Sequence, residues 1–199
     1  AELGRLKDAE AVTLDGVQVK LEANIELPEE AEQALAAGAD GIGLFRSEFL
    51  FMGRRDLPGE EEQYEAYATV VKAMQGRPVT IRTLDIGADK TLDGDATVAT
   101  NPALGLRAIR YCLAHPEIFQ TQLRALLRAS AHGKLRILVP MIAHLHEVRA
   151  VRQAIAEACQ NLESRDLFFD RNIEVGAMVE IPAIAIAIEP FVEQLDFLS

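Results

Sequence analysis

Four segments of this chain set charged side chains at the ends of apolar runs, and the residue types are those that hold a small anion. In GIGLFRSEFLF, residues 41–51, Arg46 and Glu48 follow directly on the apolar run. A guanidinium left in such a place costs on the order of several kcal/mol unless an anion answers it. Glu48 or another acid could answer it as a purely structural pair. In VTIRTLDIGADK, residues 79–90, Arg82 shares a strand face with Thr80 and Leu84, because side chains alternate with period two. Asp85 could neutralise it. Lys90 follows a turn at Gly87 and brings a second positive charge to the same rim; two converging cations suit a small polyanion. NPALGLRAIR, residues 101–110, carries Arg107 and Arg110 on a helix, one able to reach the rim while the other meets solvent. In EVGAMVEIPAIA, residues 174–185, Glu180 ends an apolar strand just before Ile181 and Pro182, which turns its carboxylate toward the mouth of the fold. Such a group suits Mg²⁺, which takes one or two protein carboxylates and completes its octahedron with water and substrate oxygens. A salt bridge to Arg46 or Arg82 is the structural alternative.

Elements of a parallel α/β fold place these segments. From residue 18 onward apolar strand-like runs alternate with helix-like stretches, the order that yields a parallel sheet, whose active sites gather at the carboxyl ends of the strands. Residues 12–14 and 17–25 flank Asp15 and Gly16, a dipeptide suited to a two-residue hairpin turn, which leads into a first strand near 19–25. Pro28 with Glu29, Glu30 and Glu32 opens a helix that Gly38 closes. Further strands are expected at 41–45, 79–84, 135–140 and 175–180. Helices carry Tyr64, Ala68, Val71 and Met74; Leu123, Leu126 and Leu127; and Leu145, Val148, Val151, Ile155 and Leu162. Residues 196–199 begin a sixth strand.

A (β/α)₈ barrel takes about 250 residues, so about six of its eight units fit here. An apolar strand begun at the last residue would lack the neighbour that satisfies it, which predicts a fragment of a longer chain. The expected fold is therefore an α/β, incomplete (β/α)₈ TIM barrel over residues 19–199, preceded by a linker helix and the start of a hairpin over 1–18. An open doubly wound sheet competes, but its first strand-to-helix loop is rich in glycine, and residues 24–28 contain none.

Composition narrows the function classes. The 199 residues are 49% hydrophobic, 26% charged and 6% aromatic, a globular unit with a core rather than a disordered or membrane-spanning chain. A net charge of −11 has the wrong sign for a nucleic-acid or anionic-membrane binder. Two cysteines, Cys112 and Cys159, form no CxxC and have no local histidine at metal spacing, and the first residues carry no apolar targeting segment. A reduced, cytoplasmic protein with inert buried thiols is expected. Nucleotide motifs fail: Arg46 stands where a third glycine of a dinucleotide fingerprint would be, and Gly133-Lys134 lacks the earlier glycine of a P-loop. HExxH and GxSxG are absent, and His115, His132, His144 and His146 read as helix-end or loop residues.

Taken in order, GIGLFRSEFLF, IRTLDIGADK, NPALGLRAIR, LLRASAHGKLRILVPMI and EVGAMVEIPA resemble successive signatures of the Enzyme I family, the phosphoenolpyruvate:protein phosphotransferases of the bacterial sugar phosphotransferase system. The resemblance spans nearly the whole chain. Any single motif is shared with pyruvate phosphate dikinase and phosphoenolpyruvate synthase, which usually show His-Met after the Arg-Thr-Glu of the first motif where this chain has Phe49 and Leu50.

The resemblance implies the first part of the phosphoenolpyruvate-binding barrel domain, which in the whole enzyme also carries the contacts of a homodimer. It implies that Arg46, Arg82 and Arg107 hold the substrate's phosphate and carboxylate, that Lys90 adds charge near the phosphate, and that Glu180 is one of two acidic Mg²⁺ ligands. The second ligand, a later substrate arginine, the cysteine that protonates the enolate and the N-terminal phosphohistidine domain, which passes the phosphoryl group to the carrier HPr for sugar uptake, are not among these residues. No catalytic residue is therefore assigned, and the fragment alone is expected to be inactive. Ser47 stands where the family often has Thr, Ala88 where it has Gly and Ile181 where it has Thr. Other classes remain open: a dikinase or synthase, a non-catalytic binding or dimerisation module, and a carbon–carbon lyase.

Overall fold

The computed structural model describes residues 9–54, 56–86 and 104–199. Six strands, β1 (Glu22–Ile25), β2 (Gly41–Arg46), β3 (Val79–Arg82), β4 (Leu135–Val139), β5 (Glu174–Ala177) and β6 (Phe197–Leu198), form one sheet. All neighbours are parallel, in the order β1-β2-β3-β4-β5-β6. The helices are α1 (Glu30–Ala36), α2 (Glu60–Ala73), α3 (Ala108–Ala114), α4 (Pro116–Ser130), α5 (Leu145–Ser164), α6 (Pro182–Ile186) and α7 (Glu189–Val192). Among the described residues strand order follows chain order without reversal or a topological switch point, and the singly wound arrangement is that of an incomplete barrel.

The two faces of the sheet differ in chemistry. Residues paired in register share a face, and Ile25, Phe45, Ile81 and Ile137 line up on the helix side, as do Ile42, Val79 and Leu135. All are buried against helical residues such as Tyr67, Leu123, Leu126 and Val151, and this layer is the hydrophobic core. The other face carries Glu22, Thr80, Arg82 and Arg136. There Glu22 leans over Gly41 and Gly43 of β2, and Arg136 of β4 meets it with Nη2 at 2.9 and 3.0 Å from the two carboxylate oxygens. Strands β1 and β4 would lie roughly 14 Å apart in a flat sheet; the contact is made because the sheet curls toward this face. Gly176 is required here, since a Cβ on it would lie 2.6 Å from the Phe197 ring.

Helices α2, α4 and α5 are tied outside the core by one carboxylate: Glu60 accepts from Arg124 at 2.7 Å, Arg128 at 2.9 Å and Arg165 at 2.9 Å. The Arg128 guanidinium lies 4.0 Å over the Tyr64 ring. Among the described residues no helix is long and apolar enough to cross a membrane.

Three expectations are corrected. The hairpin exists, with Val12 bridged to Gln18, but its turn is a three-residue loop. Gly16 N–H donates to Thr13 C=O and Thr13 N–H to Val17 C=O, both at 2.9 Å, with Gly16 at φ +88. The Thr13 hydroxyl donates to Asp15, which favours a type I turn with a left-handed glycine after it over a two-residue turn. Strand β3 stops at Arg82 rather than residue 84, and β5 at Ala177 rather than residue 180. The expected linker helix begins in residues 1–8, outside the described residues.

Candidate functional site

Arg46 and Arg82 are the last residues of β2 and β3 and are direct register partners, so both side chains leave the carboxyl end of the sheet on its concave face. Arg46 Nη1 donates to Glu26 Oε1 at 2.7 Å, just past β1. The pairing of Arg46 with Glu48 suggested by proximity in sequence is not made. A 3₁₀ turn over Ser47–Leu50, in which Ser47 and Glu48 are buried, swings Glu48 across to Arg82 Nη2. The Arg82 Nη1 group lies 3.4 Å from Asp85 Oδ2 and 3.8 Å from the sulfur of Met178 beyond β5.

Asp85 is a hub. Its Oδ1 also accepts from Arg107 Nη2 at 2.7 Å. Arg107 is the extended N-cap of α3, not a residue inside the helix as expected. The next residue, Ala108, is buried at φ +49 and donates its N–H to Ile86 C=O at 3.1 Å. Left-handed backbone at alanine costs on the order of 1–2 kcal/mol and is held there by that bond. The loop after β3 and the start of α3 thus return to one point, and Arg107 meets Arg82 across a shared carboxylate.

Glu180 lies three residues beyond β5, exposed. Its Oε1 accepts the N–H of Met141, itself at φ +61 after β4, at 2.7 Å. Neither Arg46 nor Arg82 pairs with it. Mg²⁺ needs only one or two protein carboxylates. Glu180, with one oxygen engaged by a backbone amide, fits the part of a single anchor rather than a cage; no group of three or more His, Cys, Asp or Glu that could hold a metal occurs among the described residues. Lys90 and Ala88 lie outside the described residues.

The three arginines bring three positive charges, answered by Glu26, Glu48 and Asp85. Each guanidinium has five N–H donors, so the contacts made among the described residues leave donors over. Exposure grades the three: the Arg46 side chain is 40% exposed, Arg107 29% and Arg82 11%. Arg82 Nε, Glu48 Oε2 and Thr83 Oγ1 are buried with no hydrogen-bond partner among the described residues. Burial pushes the Cys112 thiol up to about 12, with Asp85 adding to it, so it is no nucleophile; Cys159 is only half-buried. His144 caps α5 in a capping box with Glu147, a helix-end role as expected.

Sequence reasoning missed Glu26 as the Arg46 partner and the buried polar residues Ser47, Tyr67 and Gln122 behind the arginines. A signal existed for Gln122: it stands in the apolar stripe of α4, three residues after Phe119 and four before Leu126.

A family model described as "PEP-utilising enzyme, PEP-binding domain" matches residues 1–199. The chain is 58% identical to the phosphoenolpyruvate-protein phosphotransferase of Cupriavidus necator, over 99% of the chain and 34% of that protein. It is 50% identical to the protein of the same name from Staphylococcus epidermidis, over 100% of the chain and 35% of that protein. The chain therefore spans about a third of the length of these relatives. Among solved structures, a putative lyase/mutase from Burkholderia cenocepacia aligns over 82% of this chain and 48% of that one, at 16% identity and a TM-score of 0.47, too slight a likeness to bear on fold or function.

Proposed function

We infer that this chain, which belongs to the PEP-binding domain family of PEP-utilising enzymes, binds phosphoenolpyruvate with the arginines at the carboxyl end of its sheet. The observation that carries the reading is the convergence of Arg82 and Arg107 on Asp85, with Arg46 the register partner of Arg82. Phosphoenolpyruvate presents a carboxylate and a phosphate, and planar guanidinium forks bind each through two oxygens. Arg46 and Arg107, the more exposed, turn their free donors to the incoming anion. Arg82, held from two sides, supplies a fixed charge beneath it. By the family resemblance Lys90, which lies outside the described residues, would add positive charge near the phosphate.

The wider reading takes this chain as the substrate-binding part of a longer phosphoenolpyruvate-protein phosphotransferase, the name its relatives carry. The phosphorus–oxygen bond of the enol ester breaks, and a phosphorus–nitrogen bond forms to a histidine on a separate domain. The enolate left behind takes a proton at carbon to give pyruvate. Within the described residues the work is orientation and charge balance, the largest contributions to phosphoryl transfer. Mg²⁺, anchored in part by Glu180, would neutralise charge on the phosphoryl oxygens and the enolate. Onward transfer to HPr, sugar uptake, dimerisation and a cytoplasmic location belong to the same proposal.

The test uses the protein expressed with the sequence its gene encodes on either side. Incubation with phosphoenolpyruvate labelled in its phosphate should give acid-labile, base-stable label on histidine and one pyruvate per label. Sustained pyruvate formation that needs AMP and diphosphate as acceptors would favour a dikinase instead, and no label would overturn the reading.

A further inference from the structure

We propose that Gln122 is a positioning residue for the anion site, fixing the separation of the loops after β2 and β3 and hence the direction of the Arg82 guanidinium. The proposal rests on the reading above for its functional consequence, and on geometry alone for the positioning.

Gln122 lies on α4, a helix that contributes no side chain to the rim, and is 1% exposed. Its Nε2 donates to the Ser47 hydroxyl and to the Tyr67 hydroxyl, each at 3.0 Å. Its Oε1 accepts the N–H of Leu84 at 2.8 Å. The Ser47 hydroxyl in turn donates to the carbonyl of Arg82 at 2.6 Å. One side-chain amide therefore grips the residue after Arg46 and the residue before Asp85, with Arg82 between them.

The direction of every proton in this hydrogen-bonded relay is determined. A backbone N–H can only donate, so the oxygen of Gln122 must face Leu84 and its nitrogen must face the two hydroxyls. Ser47 accepts from Gln122 and has its own proton for Arg82 C=O. Tyr67 accepts from Gln122 and donates to Gln63 Oε1 at 3.1 Å, while Gln63 Nε2 donates to Pro58 C=O at 2.9 Å. Burial holds the Tyr67 phenol in its neutral form, so the relay carries no charge and has one arrangement. The buried network sits behind the ion pairs: with Ser47 and Leu84 fixed, Glu48 reaches Arg82 Nη2 from one loop and Asp85 reaches Nη1 from the other. Without it the two loops are joined at this end by the backbone pairing of β2 with β3 and by the ion pairs on Arg82, whose carboxylates then lack a fixed spacing.

The experiment compares Gln122→Met, Ser47→Ala, Ser47→Thr and Tyr67→Phe in the protein with its natural flanking sequence, by two readouts. The first needs no ligand: amide hydrogen exchange at Leu84 and the side-chain Nε–H resonance of Arg82. Gln122→Met and Ser47→Ala should each shift the Arg82 resonance, and Gln122→Met should speed Leu84 exchange about tenfold or more, as loss of one protecting bond does. Tyr67→Phe, one step further from the loops, should change both least. The second readout is the dissociation constant for phosphoenolpyruvate, weakened about ten- to a hundredfold in Gln122→Met and Ser47→Ala and restored in Ser47→Thr, which keeps the hydroxyl while changing the volume. Should Gln122→Met fail to fold, the Ser47 pair decides by the same readouts. A fall in melting temperature with the Arg82 resonance and Leu84 exchange unchanged would overturn the positioning role. Absence of phosphoenolpyruvate binding in the unsubstituted protein would overturn the reading of the previous subsection, while the first readout still decides this one.

Discussion

Arg136 on β4 and Glu22 on β1 meet across the concave face of the sheet, one guanidinium nitrogen at 2.9 and 3.0 Å from the two carboxylate oxygens. The side chains are 24% and 22% exposed, and Arg136 Nε is buried without a partner among the described residues. Removing Glu22 therefore leaves a poorly solvated cation. Glu22→Ala should lower unfolding free energy by about 2–3 kcal/mol, and Glu22→Ala with Arg136→Met should lower it by less than the two separately. Urea denaturation of the four proteins in the cycle checks this, and additivity would show that the pair does not hold the curl.

Acid should loosen the outer helix layer. Burial alone would raise the Glu60 carboxyl, but hydrogen bonds from Arg165, Arg124 and Arg128 outweigh it and hold the group at about 2, against an ordinary 4.5. A carboxyl depressed in the folded state stabilises the fold fully above the unfolded value. That contribution is lost as pH falls from about 4.5 through about 2. Glu60→Gln should flatten the stability profile across that window and cost about 1–3 kcal/mol at pH 7. Thermal unfolding of both proteins from pH 2 to 7 reads it; parallel profiles would contradict the assignment.

Gly176→Ala should be destabilising out of proportion to one methyl group. The added carbon would meet three atoms of the Phe197 ring at 2.6–2.7 Å, so β6 must shift or the ring must turn, at about 1–3 kcal/mol. Phe197→Leu should recover most of that loss in a double mutant, measured by chemical denaturation.

The repeating pattern of strands and helices was plain in the residues because the helix-facing positions, such as Ile42, Phe45, Val79 and Ile81, are uniformly apolar, while acidic first turns and glycine stops mark the helices. Strand ends were overdrawn for a physical reason: Leu84 and Val179 are as apolar as strand residues, yet they lie in loops whose backbone bonds go to side chains or to the next segment, as Leu84 N–H does to Gln122. The arginines could be picked out because a guanidinium after a buried run is costly. Their partners could not. Arg46 pairs with Glu26, twenty positions away, rather than with its near neighbour Glu48, since the turn at Ser47 reverses which strand that carboxylate faces.

The Arg46–Glu26 pair is the most open of the three, with side chains 40% and 43% exposed. Such a pair adds little stability, but Glu26 competes with any anion for the same guanidinium. Glu26→Gln should leave the melting temperature nearly unchanged and tighten phosphoenolpyruvate binding about two- to fivefold at low salt, less at high salt where the repulsion is screened. Calorimetry at two ionic strengths decides it; weaker binding would mean that Glu26 orients Arg46 rather than competing for it.

Whether the arginine forks hold the anion is decided by calorimetric titration of phosphoenolpyruvate, with Mg²⁺ present, into the full-length protein, beside Arg82→Lys and Arg107→Lys. Lysine keeps the charge and loses the planar fork. Both substitutions should weaken binding at least about tenfold, and inorganic phosphate should compete with the substrate, because forks that grip two oxygens at once are worth more than point charges. Unchanged affinity in both variants would show that the arginines at the carboxyl end of the sheet are structural ion pairs and that the substrate, if bound at all, is held elsewhere.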